Sequence, residues 1–450
     1  MRLPSRKRRL SSVQLVVLLY IITILLSAVL LRLPFFHNPG VTLTFIDALF
    51  TSASSVSVTG LSVVTIHEVF NMSGIVLLII LFQIGGIGIM TLSTMFWLIF
   101  GQRIGLEQRI TIAADHNRSG LSGLVQLMRN ILVLAVSIEF IGTIILGTYT
   151  LFAGYYDHWY TAYFHSLFTS VSAFTNAGFF LREDSMISFA GDYFYQSVIM
   201  CLIVSGAIGF PVLLELKHRL IRRKEKRHHF SLFTKITTFT FAVLIVGGTV
   251  LFFLLEYNHF LADKSWGDSL FYSLFHSVSS RSGGLATMDI SVLTGPTLLM
   301  LSGLMFVGAS PSSVGGGIRT TTLFVLFAAT IAYMRGYKEV KVFGRELEEE
   351  DIRRAFIVFF VAIGFVFSAV ILLTLFESFP FQWLIFEVCS AFGTTGLSSG
   401  ITGDLSVASK LVLIFMMIIG RIGIVNFLLL RKDEQPVRIR YPKEHVMIGQ

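Results

Sequence analysis

Four short segments repeat one pattern along the 450-residue chain: DALFTSASSVSVTGL (47–61), HSLFTSVSAFTNAGF (165–179), YSLFHSVSSRSGGL (272–285) and IFEVCSAFGTTGL (385–397). Each ends in a glycine and a large apolar residue: Gly60-Leu61, Gly178-Phe179, Gly284-Leu285 and Gly396-Leu397. A phenylalanine stands ten residues before the glycine in three of them (Phe50, Phe168, Phe386) and nine before it in the third (Phe275). The apolar stretches, 46–56, 163–174, 269–279 and 383–392, hold about eleven residues each. A helix of that length rises about 16 Å, half the thickness of a bilayer core, so it enters a membrane without crossing it. One unit used four times is the strongest constraint on the fold.

Between these stretches lie longer apolar runs, at 13–33, 73–100, 125–152, 194–216, 232–255, 296–334, 354–376 and 408–430. Each reaches the roughly 20 residues needed to cross hydrocarbon. Apolar residues make up 54% of the chain and charged ones only 14%, against about 25% in soluble proteins. The net charge of +8 is not a nucleic-acid footprint, because Lys and Arg fall in short runs between apolar segments. Such runs are Arg6-Lys7-Arg8-Arg9, the seven basic residues of Lys217–Arg227, and Arg431-Lys432. They precede the first run and follow the even-numbered ones, which predicts cytoplasmic termini and short stretches that dip in from outside. The run from Val13 to Leu31 is too long for a signal-peptide core and reads as a retained span. The acidic run Glu346–Asp351 reads as a solvated helix start.

The predicted fold is all-α and membrane-embedded, with eight spanning helices and four re-entrant short helices. Its repeats are 1–102, 103–226, 227–345 (second helix broken) and 346–450 with a cytoplasmic tail. Two spans per unit make the four units parallel, which suits a central axis along the membrane normal. Inverted repeats, common in alternating-access carriers, need an odd count. A carrier of that kind for another small cation or solute is the competing reading. An enzyme is the weaker one: no HExxH, no P-loop and no nucleophile–base set occurs. Cys201 and Cys389 make no disulfide framework and read as small buried hydrophobes.

The residues that end each short stretch predict the chemistry. They are Val58-Thr59-Gly60, Asn176-Ala177-Gly178, Ser282-Gly283-Gly284 and Thr394-Thr395-Gly396. A descending helix points its partial negative charge at the axis, which favours a cation. The chain then returns extended, with free carbonyls that are tolerated only beside water. No Asp or Glu lies within four residues of any of the four glycines, which argues against a divalent site and for carbonyl coordination of a monovalent cation.

On these residues the chain resembles the Trk/Ktr/HKT superfamily of potassium transporters, over nearly its whole length. It looks most like the membrane subunit of Ktr systems, since it starts at the first repeat without the extra N-terminal helix pair of Trk subunits. The resemblance implies a potassium filter at Gly60, Gly178, Gly284 and Gly396. Sodium-favouring relatives often carry serine in the first repeat, so Gly60 implies potassium. The resemblance also implies a homodimer seated on a cytosolic nucleotide-binding regulatory ring, with no cofactor beyond the transported K+. Sodium dependence is left open. Arg281, three residues before Gly284, is expected to point away from the pore.

The sixth run is 39 residues long and carries Gly308, Ala309, Ser310, Pro311, Ser312, Ser313, Val314, Gly315, Gly316 and Gly317 at its middle. Proline and glycine break a helix there; by resemblance this is the gating loop under the filter. Arg421 is an intramembrane cation and so a functional candidate, with a structural pairing to Glu139 as the alternative. From Pro296 to Gly308 and from Ala408 to Arg421 the chain descends roughly 18–20 Å at 1.5 Å per residue, so loop and arginine are expected at one depth, forming one gate.

Overall fold

The computed structural model describes residues 12–88, 123–182, 185–221, 230–429 and the isolated positions 442 and 444. The basic N-terminal run, the end of the second span beyond residue 88, most of the Lys217–Arg227 loop and Arg431-Lys432 lie outside them. The helices fall into four consecutive groups of a leading helix, a short helix and a trailing helix.

The leading helices are Ser12–Leu31, Leu124–Phe152, Leu232–Glu256 and Glu349–Phe376, of 20, 29, 25 and 28 residues. Among the described residues these four are long and apolar enough to cross a membrane unaided. Their exposed faces carry Leu26, Phe140, Val246 and Phe360, side chains that hydrocarbon solvates and water does not. Glu349, Glu350 and Asp351 fill the first turn of the fourth, where carboxylates complement the helix dipole. Just before it, Lys341–Val342 pairs with Arg345–Glu346 in a small antiparallel hairpin.

The short helices are Phe45–Ser57, Trp159–Thr175, Trp266–Ser279 and Phe381–Gly393. At 13, 17, 14 and 13 residues they exceed the apolar stretches from which they were read. The added first turns are polar or aromatic and so escape a count of apolar residues. Two are capped by Thr44 and Ser265, which accept the Asp47 and Asp268 amides. Their last five residues are all buried.

The trailing helices are Met72–Ile87, Tyr193–Ala207, Gly295–Val307 and Val407–Ile422. Hydropathy predicts one broken span, the third; the structure ends all four at a glycine of positive φ, Gly88, Gly209, Gly308 and Gly423. After Gly209 the chain turns by 105° into Phe210–Ile221, and after Gly423 it continues as Ile424–Leu429. Close packing accompanies the breaks. Three residues before each break, Gly85, Gly206 and Gly420 press on the last turn of their own short helix. A β-carbon there would lie 2.3, 1.9 and 1.9 Å from the carbonyl oxygens of Val56, Phe174 and Phe392. The third repeat has Met305 at this place, and its carbonyl instead packs on Gly393, at the end of the fourth repeat's short helix.

Clasps join the ends of leading and trailing helices. The buried Glu256 carboxylate accepts the Thr294 amide and the Thr294 and Thr297 hydroxyls. Glu377 accepts the Ser406 amide, and Asp192 accepts the Tyr149 and Tyr155 hydroxyls.

Candidate ion-conduction site

Three of the short helices end in a left-handed turn that redirects the chain. Val58, Asn176 and Thr394 have φ of 57°, 57° and 46° at the helix caps. The next amide then reaches back to a serine carbonyl: Thr59 to Ser54 at 2.8 Å, Ala177 to Ser172 at 2.7 Å and Thr395 to Ser390 at 2.9 Å. This is the 6→1 bond of a Schellman cap, and it launches the chain away from the helix axis. In the third repeat the helix stops at Ser279 and a turn through Ser280–Gly283 intervenes, with Ser282 at φ 73°. That turn accounts for the shortened Phe275–Gly284 spacing. It carries Arg281 away from the other filter strands, with one guanidinium nitrogen on the Leu304 carbonyl at 3.2 Å and the group over the Phe241 ring.

These three serines, and Ser279 at the matching place in the third repeat, use their hydroxyls as well. Ser54 and Ser390 accept the Gly60 and Gly396 amides at 3.1 and 3.0 Å. Ser172 and Ser279 instead donate to the carbonyls of Phe179 and Leu285, one residue further on. Sequence reasoning passed over these serines. The signal was present, since all four occupy one aligned column.

The four glycines converge on one ring. A β-carbon on Gly60 would meet the Ala177 carbonyl oxygen at 2.6 Å, and one on Gly178 the α-carbons of Gly284 and Gly60 at 3.1 Å. On Gly284 it would meet the Thr395 carbonyl oxygen at 2.2 Å, and on Gly396 the Thr59 carbonyl oxygen at 2.2 Å. All four hold φ between 71° and 95°, which side-chain-bearing residues rarely adopt. The predicted strands are thus brought together: Val58, Thr59, Asn176, Ala177, Ser282, Gly283, Thr394 and Thr395 stand behind the ring. Side-chain polar atoms of Asn176, Thr394 and Thr395 are buried without a protein partner among the described residues. Buried polar groups are rarely left so in a protein interior.

On one side of the ring lies a cavity of about 600 Å³ whose floor includes all four glycines and whose wall includes Arg182 and Asp289. On the other side a cavity of about 280 Å³ is lined by Gly85–Gly88, Pro311–Ser313, Gly317–Arg319 and Arg421. The 308–317 loop stands between this second cavity and the ring. Gly315 packs on Ser282 and Gly316 on Thr394, the first residues of the third and fourth filter strands. Its backbone is paired along its length. Ala309 N donates to Gly316 O, Ser310 N to Ala207 O, and Val314 N to Gly206 O, while Ser312 O accepts from Phe210 N. The loop is therefore docked on the break of the second repeat.

Two arginines complete the arrangement. The guanidinium of Arg421 donates to the Val314 carbonyl in the loop and to the Gly85 and Gly86 carbonyls at the end of the first trailing helix. Loop and Arg421 thus meet, as their equal depths predict. Arg421 does not pair with Glu139, whose carboxylate instead accepts the Gln83 amide. The second arginine, Arg319, was missed because it was counted inside one long apolar run. It has φ 80° and donates to the carbonyls of Ser310 and Gly315, closing the loop on itself. An arginine beside a helix-breaking loop was the signal available.

The profile of the TrkH family, described as a cation transport protein, matches residues 11–439. The "Ktr system potassium uptake protein D" of Bacillus subtilis is 52% identical over 100% of both chains. The "Ktr system potassium uptake protein B" of Vibrio alginolyticus is 36% identical, covering 97% of this chain and 94% of the other. The "Potassium/sodium uptake protein NtpJ" of Enterococcus hirae is 34% identical over 98% of each. Among solved structures, the potassium transporter TrkH from Vibrio parahaemolyticus superimposes with a TM-score of 0.74 at 18% identity, covering 96% of this chain and 87% of that one. That likeness speaks for the fold: four repeats of two membrane helices flanking a re-entrant one. With the profile spanning nearly all of the sequence, the chain is a member of the TrkH family of cation transport proteins.

Proposed function

We propose that the chain takes up potassium through the ring of Gly60, Gly178, Gly284 and Gly396, with the 308–317 loop as its gate. The observation that carries this is the convergence of four positive-φ glycines, at three of which (Gly60, Gly284 and Gly396) a β-carbon would fall within 2.6 Å of a carbonyl oxygen of another repeat. Four buried helix C-termini aim their partial negative charge at that ring. A monovalent cation entering it exchanges water for backbone carbonyls, without a carboxylate to hold it too tightly. The relatives' names speak of potassium uptake, and one speaks of sodium as well. Sodium dependence is therefore part of the reading to be tested.

The basic runs support cytoplasmic termini for a multi-pass protein in the cell membrane, which makes the 600 Å³ cavity the outer mouth. Below the ring, the loop fills the path and Arg421 adds a fixed positive charge that repels a cation until it is moved. Arg319 keeps the loop compact. The Ktr systems named among the relatives support a subunit that works as a homodimer on a cytosolic nucleotide-binding ring. Such a ring would release the loop through the cytoplasmic ends of the trailing helices.

The test is tracer uptake of rubidium into vesicles holding the full chain, with rising sodium as competitor. Gly60→Ser should weaken discrimination against sodium, since its β-carbon meets Ala177 O and its φ of 95° is strained. Unchanged selectivity would remove Gly60 from the filter. Uptake measured with and without sodium decides coupling.

A further inference from the structure

The short helix of the fourth repeat carries a carboxylate that conduction itself does not require. Glu387 is completely buried one turn before Ser390. One carboxylate oxygen accepts the Ser398 hydroxyl at 2.6 Å, the Ser399 amide at 3.0 Å and the Ser399 hydroxyl at 3.4 Å. The other accepts the Thr402 hydroxyl at 2.9 Å, and the Ser398 and Thr402 hydroxyl oxygens lie 2.8 Å apart. Among the described residues it has no ion-pair partner. Every donor comes from Ser398–Thr402, the segment that leaves the filter after Gly396. Glu387 therefore ties the rising side of the fourth strand to the helix that descends before it.

The aligned position in the other repeats is Thr51, Thr169 and His276. Thr51 has no hydrogen-bond partner for its hydroxyl. His276 bonds the Tyr272 carbonyl of its own helix. Neither reaches a post-filter segment. The second and third repeats are joined there by a different device, Met186 N donating to Ala286 O at 3.1 Å. The fourth strand has its carboxylate instead, and its position matters for its neighbour. The Thr395 carbonyl oxygen occupies the space a β-carbon of Gly284 would take, at 2.2 Å. A shift of the fourth strand is thus passed directly to the third.

We propose that Glu387 is a positioning residue for ion selectivity, setting the geometry of the Thr394–Gly396 strand through its acceptor oxygens. The proposal rests on the filter reading above. It acts through hydrogen-bond acceptance, so an amide that keeps one acceptor and can turn its NH2 toward Thr402 should substitute for it. An alanine leaves four donors behind a buried strand with nothing to accept them, a penalty that the structure relieves by moving the segment.

The experiment compares Glu387→Gln, Glu387→Ala and, as control, Gly396→Ser in the full chain, reading the sodium concentration that halves rubidium uptake. Glu387→Ala should lower it by about tenfold, and Glu387→Gln should remain close to the parent. If Glu387→Ala fails to reach the membrane, the pair Ser398→Ala and Thr402→Val, which removes two of the donors and leaves the carboxylate in place, should shift it about threefold in the same direction. A purely structural role would lower the amount of protein without moving this ratio. Parent-like selectivity in Glu387→Ala, or a glutamine variant as impaired as the alanine, overturns the proposal. If Gly396→Ser shifts selectivity and Glu387→Ala does not, the filter reading survives alone. If neither shifts it, the filter reading fails first.

Discussion

Arg319 and Arg421 come from different repeats and bind different carbonyls of one loop. Arg319 holds Ser310 and Gly315, while Arg421 holds Val314 and reaches on to Gly85 and Gly86. A hydrogen bond from a charged donor is worth about 1.5–3 kcal/mol, so losing either arginine should raise basal cation flux by about tenfold. Flux through Arg421→Ala and Arg319→Ala vesicles, normalised to inserted protein, checks this; parent rates in both would relieve the arginines of a gating role. At this scale the sequence was legible where chemistry and repetition coincided. The four glycines declared themselves because each stood in the same surroundings. The serines at 54, 172, 279 and 390 stood in the same surroundings too, yet serine reads as small filler until its hydroxyl is seen on a filter amide or carbonyl. Glu387 was hidden differently. Its role needs the fold of Ser398–Thr402 back over the helix, which no spacing announces.

Among elements, the leading helices follow from apolar length alone, and their observed limits lie within a few residues of the runs at 13–33, 125–152, 232–255 and 354–376. Trailing helices do not. Their breaks at Gly88, Gly209 and Gly423 are made by glycine in apolar surroundings, so hydropathy runs straight through them. Gly308–Gly317 gathers proline, serines and four glycines, and there the break was read in advance; Pro211, two residues past Gly209, was a second signal that went unread. On the proposed reading the 308–317 loop blocks the path by occupying it, and its small side chains tie down little besides backbone. Shortening it within 309–317 should therefore raise flux and make it less dependent on any regulator, without lowering the amount of folded protein. A shortened chain that inserts normally and conducts no faster than the parent makes the segment a structural break.

For the whole molecule, the parallel placement of four units decides the topology, and the placement of basic residues decides its sense. Both native cysteines, the exposed Cys201 and the buried Cys389, can be replaced so that single cysteines report sidedness. A cysteine at 217 or 219 should react with an impermeant reagent only from the cytoplasm. Reaction from outside would invert the molecule and turn the mouth above the glycine ring into an inner chamber. The central axis was legible from four parallel units, whereas the inequality of the units was not. The third departs in its filter turn and in Met305, the fourth in Glu387 and Arg421, and each departure depends on contacts between repeats.

The docking of the 308–317 loop has a consequence for how traffic is switched. The loop leans on the second repeat through Gly206 and Ala207, on its own through Arg319, and on the fourth and first through Arg421. It is the keystone of an arch whose stones come from every quarter of the molecule. A keystone does not slide out by degrees: while any quarter grips it the span stands, and once the last lets go it drops. On the proposed reading of the loop as gate, passage within one subunit is then a vote that must be unanimous, and its outcome has two values.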